Sequence, residues 1–160
     1  MALCKYCGKD LDFSLEKRGF CDDCYIILTK NPLEFKKQIL DFIDKPFFVV
    51  KVDTTLLYTA NEKFLELTGK PFEEIVDSLG GDVVNCIHAE KDVCGQGPFC
   101  SDCPLRSLVI KTIKEDESHT GKALIQTRIE GQVKKIEFNI KTRRRLDFVY
   151  IQIEDYTIID

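Results

Sequence analysis

Tyr58-Thr59-Ala60-Asn61-Glu62-Lys63-Phe64-Leu65-Glu66-Leu67-Thr68-Gly69 joins the end of a predicted strand to a capped helix. Leu56–Thr59 reads as a strand. Asn61 then supplies a short side-chain oxygen that can accept from the free amides of a helix start. The predicted helix runs through Leu67 and closes at Gly69, with Pro71 beyond it. Working upstream, Asp53-Thr54-Thr55 is a turn and Phe47-Phe48-Val49-Val50-Lys51-Val52 a buried strand. Asn31-Pro32-Leu33-Glu34 combines a capping residue, proline at the first helical position and glutamate at the third. Phe35, Ile39, Phe42 and Ile43 would follow on one helical face, ended by Pro46.

Working downstream, Pro71-Phe72-Glu73-Glu74-Ile75-Val76 predicts a short helix, and 77–102 reads as irregular. Pro104 opens a helix in which Leu105, Leu108, Val109 and Ile113 share a face. Residues 120–130 form a strand that ends at a turn around Glu130-Gly131-Gln132. Ile136, Phe138 and Ile140 alternate with polar residues, the mark of a half-buried antiparallel strand. Arg143–Asp147 turns the chain and Phe148–Ile153 returns. Strands, then helices, then strands predict an α+β domain on an antiparallel sheet.

The chain has 160 residues, of which 44% are hydrophobic and 31% charged, with a formal net charge of −4. That is enough apolar material for a core, and the charged share predicts a soluble protein. The two signs are interspersed, which argues against a general nucleic-acid binder. No apolar run approaches the roughly 18 residues that span a bilayer. Met1-Ala2-Leu3-Cys4-Lys5 shows no charged leader before an apolar core, so the expected location is the cytoplasm.

Eight cysteines are many for a chain in a reducing compartment, where clustered thiols bind metal or do redox chemistry. They fall in two groups of four, separated by about 60 residues. The first is Cys4-x2-Cys7-Gly8, a 13-residue gap, then Cys21-x2-Cys24. A two-residue spacer lets both sulfurs of a pair face one ion, and Gly8 relaxes the turn. Four thiolates close the coordination sphere of zinc, so Cys4, Cys7, Cys21 and Cys24 predict one structural Zn2+. A pair of redox dithiols is the competing reading. Residues 1–30 hold few apolar side chains and need such a staple to fold. Tyr25-Ile26-Ile27-Leu28 after the second pair would start a helix, as in a treble-clef or zinc-ribbon module.

The second group is Cys86-x7-Cys94-x5-Cys100-x2-Cys103. Its spacing is less diagnostic. Cys103 lies at a predicted helix N-terminus, which favours thiolate, and Gly80, Gly81, Gly95 and Gly97 let the backbone wrap closely. A second zinc, an iron–sulfur cluster and a thiol–disulfide switch all remain open here.

Leu40-Asp41-Phe42-Ile43-Asp44-Lys45-Pro46-Phe47-Phe48-Val49-Val50, the Tyr58–Gly69 stretch and Phe72-Glu73-Glu74-Ile75 resemble the first half of a PAS sensor domain. The resemblance covers roughly 33–158, so the chain divides into a zinc-binding module at 1–30 and a PAS-like domain at 31–160. It implies a five-stranded antiparallel sheet with helices over one face. It further implies sensing of small molecules, redox state or light, or binding of protein partners, often as dimers through the helix before the first strand. Such domains usually precede a kinase, cyclase or DNA-binding output, for which 160 residues leave no room. Gly80-Gly81-Asp82-Val83-Val84-Asn85-Cys86, Cys94-Gly95 and Cys100-Ser101-Asp102-Cys103-Pro104-Leu105-Arg106 resemble a subset of PAS domains that carry four cysteines before the long helix.

Asn85-Cys86 is similar to the Asn-Cys of flavin-binding photosensor PAS domains, but Ile87-His88 stands where an arginine for the flavin phosphate should follow. Haem would want a histidine on the long helix, and none occurs from 103 to 117. His88 and His119 read as surface residues, with His88 a substitute ligand if one cysteine is remote. Arg143-Arg144-Arg145, near Lys134, Lys135 and Lys141, makes a basic hairpin. It reads as a solvated turn, or as a contact for an acidic partner or nucleic acid. No catalytic constellation emerges, so the chain is not expected to be an enzyme. The leading expectation is a signal-sensing or regulatory protein acting through a protein partner or homodimer, without membrane contact. A nucleic-acid-associated zinc-ribbon regulator and a small redox protein with an iron–sulfur cluster are the alternatives.

Overall fold

Residues 2–4, 7–11, 21–23 and 40–159 are described by the computed structural model of the chain. They divide between two units, Met1–Phe42 and Ile43–Asp160. In the first, β1 (Ala2–Leu3) pairs antiparallel with β2 (Asp10–Leu11), setting Ala2 opposite Leu11. Cys4, Leu11 and Cys21 are its buried cluster, with Ala2 packed against them.

The second unit is built on an antiparallel sheet of five strands: β3 (Phe47–Lys51), β4 (Leu57–Ala60), β5 (His119–Ile129), β6 (Gln132–Arg145) and β7 (Phe148–Ile159). Their order across the sheet is β4-β3-β7-β6-β5. The helices lie between β4 and β5 in sequence: α1 (Glu62–Thr68), α2 (Phe72–Ile75), α3 (Gly80–Val83) and α4 (Pro104–Glu115). Alternation decides which face is covered. Ala123 and Ile125, Ile136, Phe138 and Ile140, and Val149, Ile151 and Ile153 are buried and meet Phe64, Leu65, Ile75, Val83 and Val109 of the helices in one core. Phe48 stacks on Phe64 at 4.4 Å between ring centroids. This is the α+β architecture that the strand and helix pattern predicts.

Asn61 sits at the junction of β4 and α1 and is wholly buried. Its Oδ1 accepts from the amides of Phe47 at 3.0 Å and Phe64 at 3.1 Å. Its Nδ2 donates to the carbonyls of Ile43 at 3.2 Å and Lys45 at 2.7 Å. One side chain thus caps α1 and fastens the approach to β3 beside it.

Four expectations change. Residues 77–102 are not irregular throughout: they contain α3 and the 3-10 turns Ile87–Glu90 and Cys100–Asp102. The predicted turn at 143–147 shortens, because β6 continues to Arg145 and the chain reverses at Leu146-Asp147. β7 runs to Ile159 rather than stopping at Ile153, past a bulge that disguises its alternation. Before β3, Leu40 is helical but Asp41–Lys45 form turns and bends, and Phe42 is 79% exposed, so Phe42 and Ile43 do not extend a helical apolar face. Asn61 takes the Ile43 and Lys45 carbonyls for itself, which replaces helical hydrogen bonds there. Phe35, Ile39 and the predicted cap at Asn31 lie outside the described residues.

Candidate functional site

In the first unit the sulfurs of Cys4, Cys7 and Cys21 all lie within 4.8 Å of one another. Cys7 and Cys21 are 3.6 Å apart. Thiolates around a zinc ion at about 2.3 Å are spaced roughly 3.8 Å apart in a tetrahedron, so this set fits one ion. The β1–β2 turn makes the approach: the Cys4 amide donates to the Lys9 carbonyl at 2.8 Å, and the Gly8 amide to the Cys4 carbonyl at 3.0 Å. The Cys21 amide reaches the Cys4 sulfur at 3.4 Å, as a donor to a thiolate would. Lys9 and Asp23 form an exposed ion pair at 3.2 Å. Cys24, the fourth cysteine of the predicted set, lies outside the described residues.

The second group converges in the second unit. Cys86, Cys94, Cys100 and Cys103 all line one cavity of about 110 Å³, walled otherwise mainly by apolar side chains such as Phe48, Val50, Val109 and Ile125. Cys86 follows α3 and is held to β5: it bridges to Thr127, and the Arg128 amide donates to the Asn85 carbonyl at 3.0 Å. The Arg128 guanidinium clasps Glu90 at 2.6 and 3.1 Å, and this hydrogen bonding holds the Glu90 carboxyl below its ordinary pKa. Cys100 opens a 3-10 turn, and Cys103 is the N-cap residue of α4, its amide donating to the Cys100 carbonyl at 3.2 Å.

Cys94 shows why glycine follows α3's first residue. The Gly81 amide donates to the Cys94 sulfur at 3.2 Å, and a Cβ at Gly81 would stand 2.9 Å from that sulfur. Burial pushes the Cys94 thiol up in pKa, the Gly81 amide pulls it down, and the neighbouring Cys100, Cys103 and Cys86 push it up again. A cation that bound these sulfurs would displace their protons. Gly81→Ala is expected to push Cys94 out of the cavity. Thermal unfolding of the second unit should show a loss of about 1–3 kcal/mol from overpacking, and any metal that this group takes up should fall by more than half. Elemental analysis with a thermal melt checks both.

The two groups differ in spread. Among the described residues, Cys4, Cys7 and Cys21 are the only cysteines that draw within 4.8 Å as a set of three. Cys86, Cys94, Cys100 and Cys103 line the cavity without any three of them forming such a set.

His88 is half-buried, lines the same cavity and packs on Phe99 at 4.8 Å between rings. His119 is less of a surface residue than the sequence predicts: its side chain is only 15% exposed and lies 2.9 Å from Glu115. Glu117 completes that group within 4.8 Å, a gathering visible in the sequence only as Glu115-x-Glu117-x-His119. The basic hairpin is partly spoken for. Arg144 donates to the Ile113 carbonyl at 2.7 Å, closing the end of α4, and to the Leu146 carbonyl at 3.1 Å. Arg106, to which the sequence assigns no role of its own, also borders the thiol cavity.

No helix among the described residues is long and apolar enough to cross a membrane. No family model matches the sequence, and no curated protein matches it. Solved structures do. The Rhodobacter sphaeroides LOV protein aligns with a TM-score of 0.53 at 11% identity, over 78% of this chain and 66% of that one. The RsLOV d2 variant aligns with a TM-score of 0.51 at 13% identity, over 84% and 67%. A point variant of RsLOV gives 0.53 at 11%, over 73% and 63%. The chain thus spans about two thirds of the length of these relatives. At such identities the likeness is one of fold, and it agrees with the strand order and helix placement described above: the second unit is a PAS-like α+β domain.

Proposed function

We propose that the chain is a redox- or oxygen-responsive sensor in which Cys86, Cys94, Cys100 and Cys103 hold an iron–sulfur cluster inside the PAS-like domain. The observation that carries this reading is that all four thiols line a single apolar cavity while no three of them come within 4.8 Å. A single zinc ion draws its thiolates to roughly 3.8 Å. Cys86, Cys94, Cys100 and Cys103 would be the thiolate ligands of a cluster held in the cavity. When bound, it supplies reversible one-electron chemistry whose potential follows charge, hydrogen bonds to sulfur and exposure. The chain's own part is to supply the sulfurs from the α3 end, two loop positions and the α4 cap, and to aim the Gly81 amide at Cys94. Apolar walls keep bulk water away from the group.

The first unit serves as a zinc-stapled module on Cys4, Cys7, Cys21 and Cys24, and contact with a protein partner or a second copy carries the output. Metal analysis of protein purified without oxygen tests the reading. About one zinc and about four iron per chain, with a visible band that bleaches on dithionite, is the expected result. Two zinc and no iron would make the second group structural and remove the redox role.

A further inference from the structure

Of the described side chains that line the thiol cavity, Arg106 alone carries a permanent charge. It is exposed, and among the described residues no carboxylate pairs with it. Its place is set by Gly95, the residue after Cys94, whose φ of +92° only glycine adopts without strain. A Cβ there would stand 3.0 Å from Arg106 Nε and 3.6 Å from Nη2, so the guanidinium lies against the bare Gly95 backbone. Arg106 is also in the first turn of α4, which has no acidic residue there. A cation at that end opposes the helix dipole, where a carboxylate would be the favoured choice. A residue that breaks a local rule in this way is expected where function needs it. Four thiolates with their metal carry net negative charge, and that charge grows on reduction.

We propose that Arg106 is the counter-charge of the centre on Cys86, Cys94, Cys100 and Cys103 and raises its reduction potential; this rests on the iron–sulfur reading above. In a one-electron reduction by an external donor, the added electron stays on the centre. No bond to Arg106 forms or breaks, and the guanidinium acts only through its field and its fit against Gly95. Arg106 is thus a positioning residue for charge, not a ligand.

The test is a spectroelectrochemical titration, with mediators and dithionite, of full-length wild type, Arg106→Gln and Arg106→Lys purified without oxygen. Arg106 is exposed, so neither variant threatens the fold. Arg106→Gln is expected to make reduction about tenfold less favourable, a downward shift of about 59 mV for one electron. Arg106→Lys should recover most of that loss. An unchanged potential in Arg106→Gln with an intact visible band overturns the role of Arg106 and leaves the cluster standing. If the site holds zinc, the cluster reading fails and the charge role is read instead by chelator competition. Arg106→Gln should then bind zinc about tenfold more weakly, and equal affinity overturns it. Absence of any metal at these cysteines overturns both.

Discussion

Replacing Asn61 with alanine is expected to cost the second unit about 2–4 kcal/mol. Alanine would strand the Phe47 amide and the carbonyls of Ile43 and Lys45, while the Phe64 amide would lose its side-chain cap but keep the Asn61 backbone carbonyl at 3.1 Å. Each stranded group costs about 1–3 kcal/mol where water cannot reach it, and less where it can. The lost helix cap is worth about 1 kcal/mol of the same total. Domains of this size are stable by only about 5–15 kcal/mol, so the variant should sit near its unfolding threshold. Urea unfolding of the variant beside wild type measures the effect. Asn61→Asp keeps both accepting contacts and loses both donations, and should fall about midway. A loss below about 1 kcal/mol for the alanine variant would show that these three groups find other partners.

The second large effect follows from the zinc proposed for Cys4, Cys7, Cys21 and Cys24. β1 and β2 are two residues each, and the buried cluster beside them is Cys4, Leu11 and Cys21. So little apolar surface cannot offset the ordering of the chain. A structural zinc in such a module contributes about 10–16 kcal/mol in apparent terms at neutral pH. Cys4→Ser is therefore expected to lose one zinc per chain and all slow hydrogen exchange at the amides of Cys4 and Cys21. The thermal transition of residues 43–159 should persist. Retained protection in zinc-free Cys4→Ser protein would mean that the metal is not what orders this unit.

Residues 47–69 are legible from sequence because their signals are local. Asn61 caps, Gly69 ends α1 at φ +69°, and Phe47–Val50 are apolar without interruption. Residues 77–102 are not legible, because what orders them is distant in sequence. Gly81 is placed by the Cys94 sulfur, and Asn85-Cys86 by Thr127 and Arg128 of β5. The cysteine spacing tells which thiols belong together but not how far apart they stand, and that distance is what separates an ion from a cluster. Arg106 is invisible for a related reason. One arginine in a helix is unremarked until its cavity and the first helical turn without an acidic residue are seen.

The bulge in β7 has a consequence for how this chain can change length. Ile140 faces Ile153 and Asn139 faces Asp155, so Glu154 is the supernumerary residue between them. In a regular strand, removing one residue turns everything beyond it to the opposite face. Here removal of Glu154 would leave Tyr156 opposite Phe138 and Ile158 opposite Ile136, as they are now. The cost would be its ion pair with Lys45, an interaction generally worth under about 1 kcal/mol, and the hydrogen bond it accepts from Gln152 at 2.9 Å. The last turn of the sheet can therefore gain or lose a residue at this one place while every apolar side chain keeps its facing, so insertions and deletions in related chains would be expected to collect at Glu154.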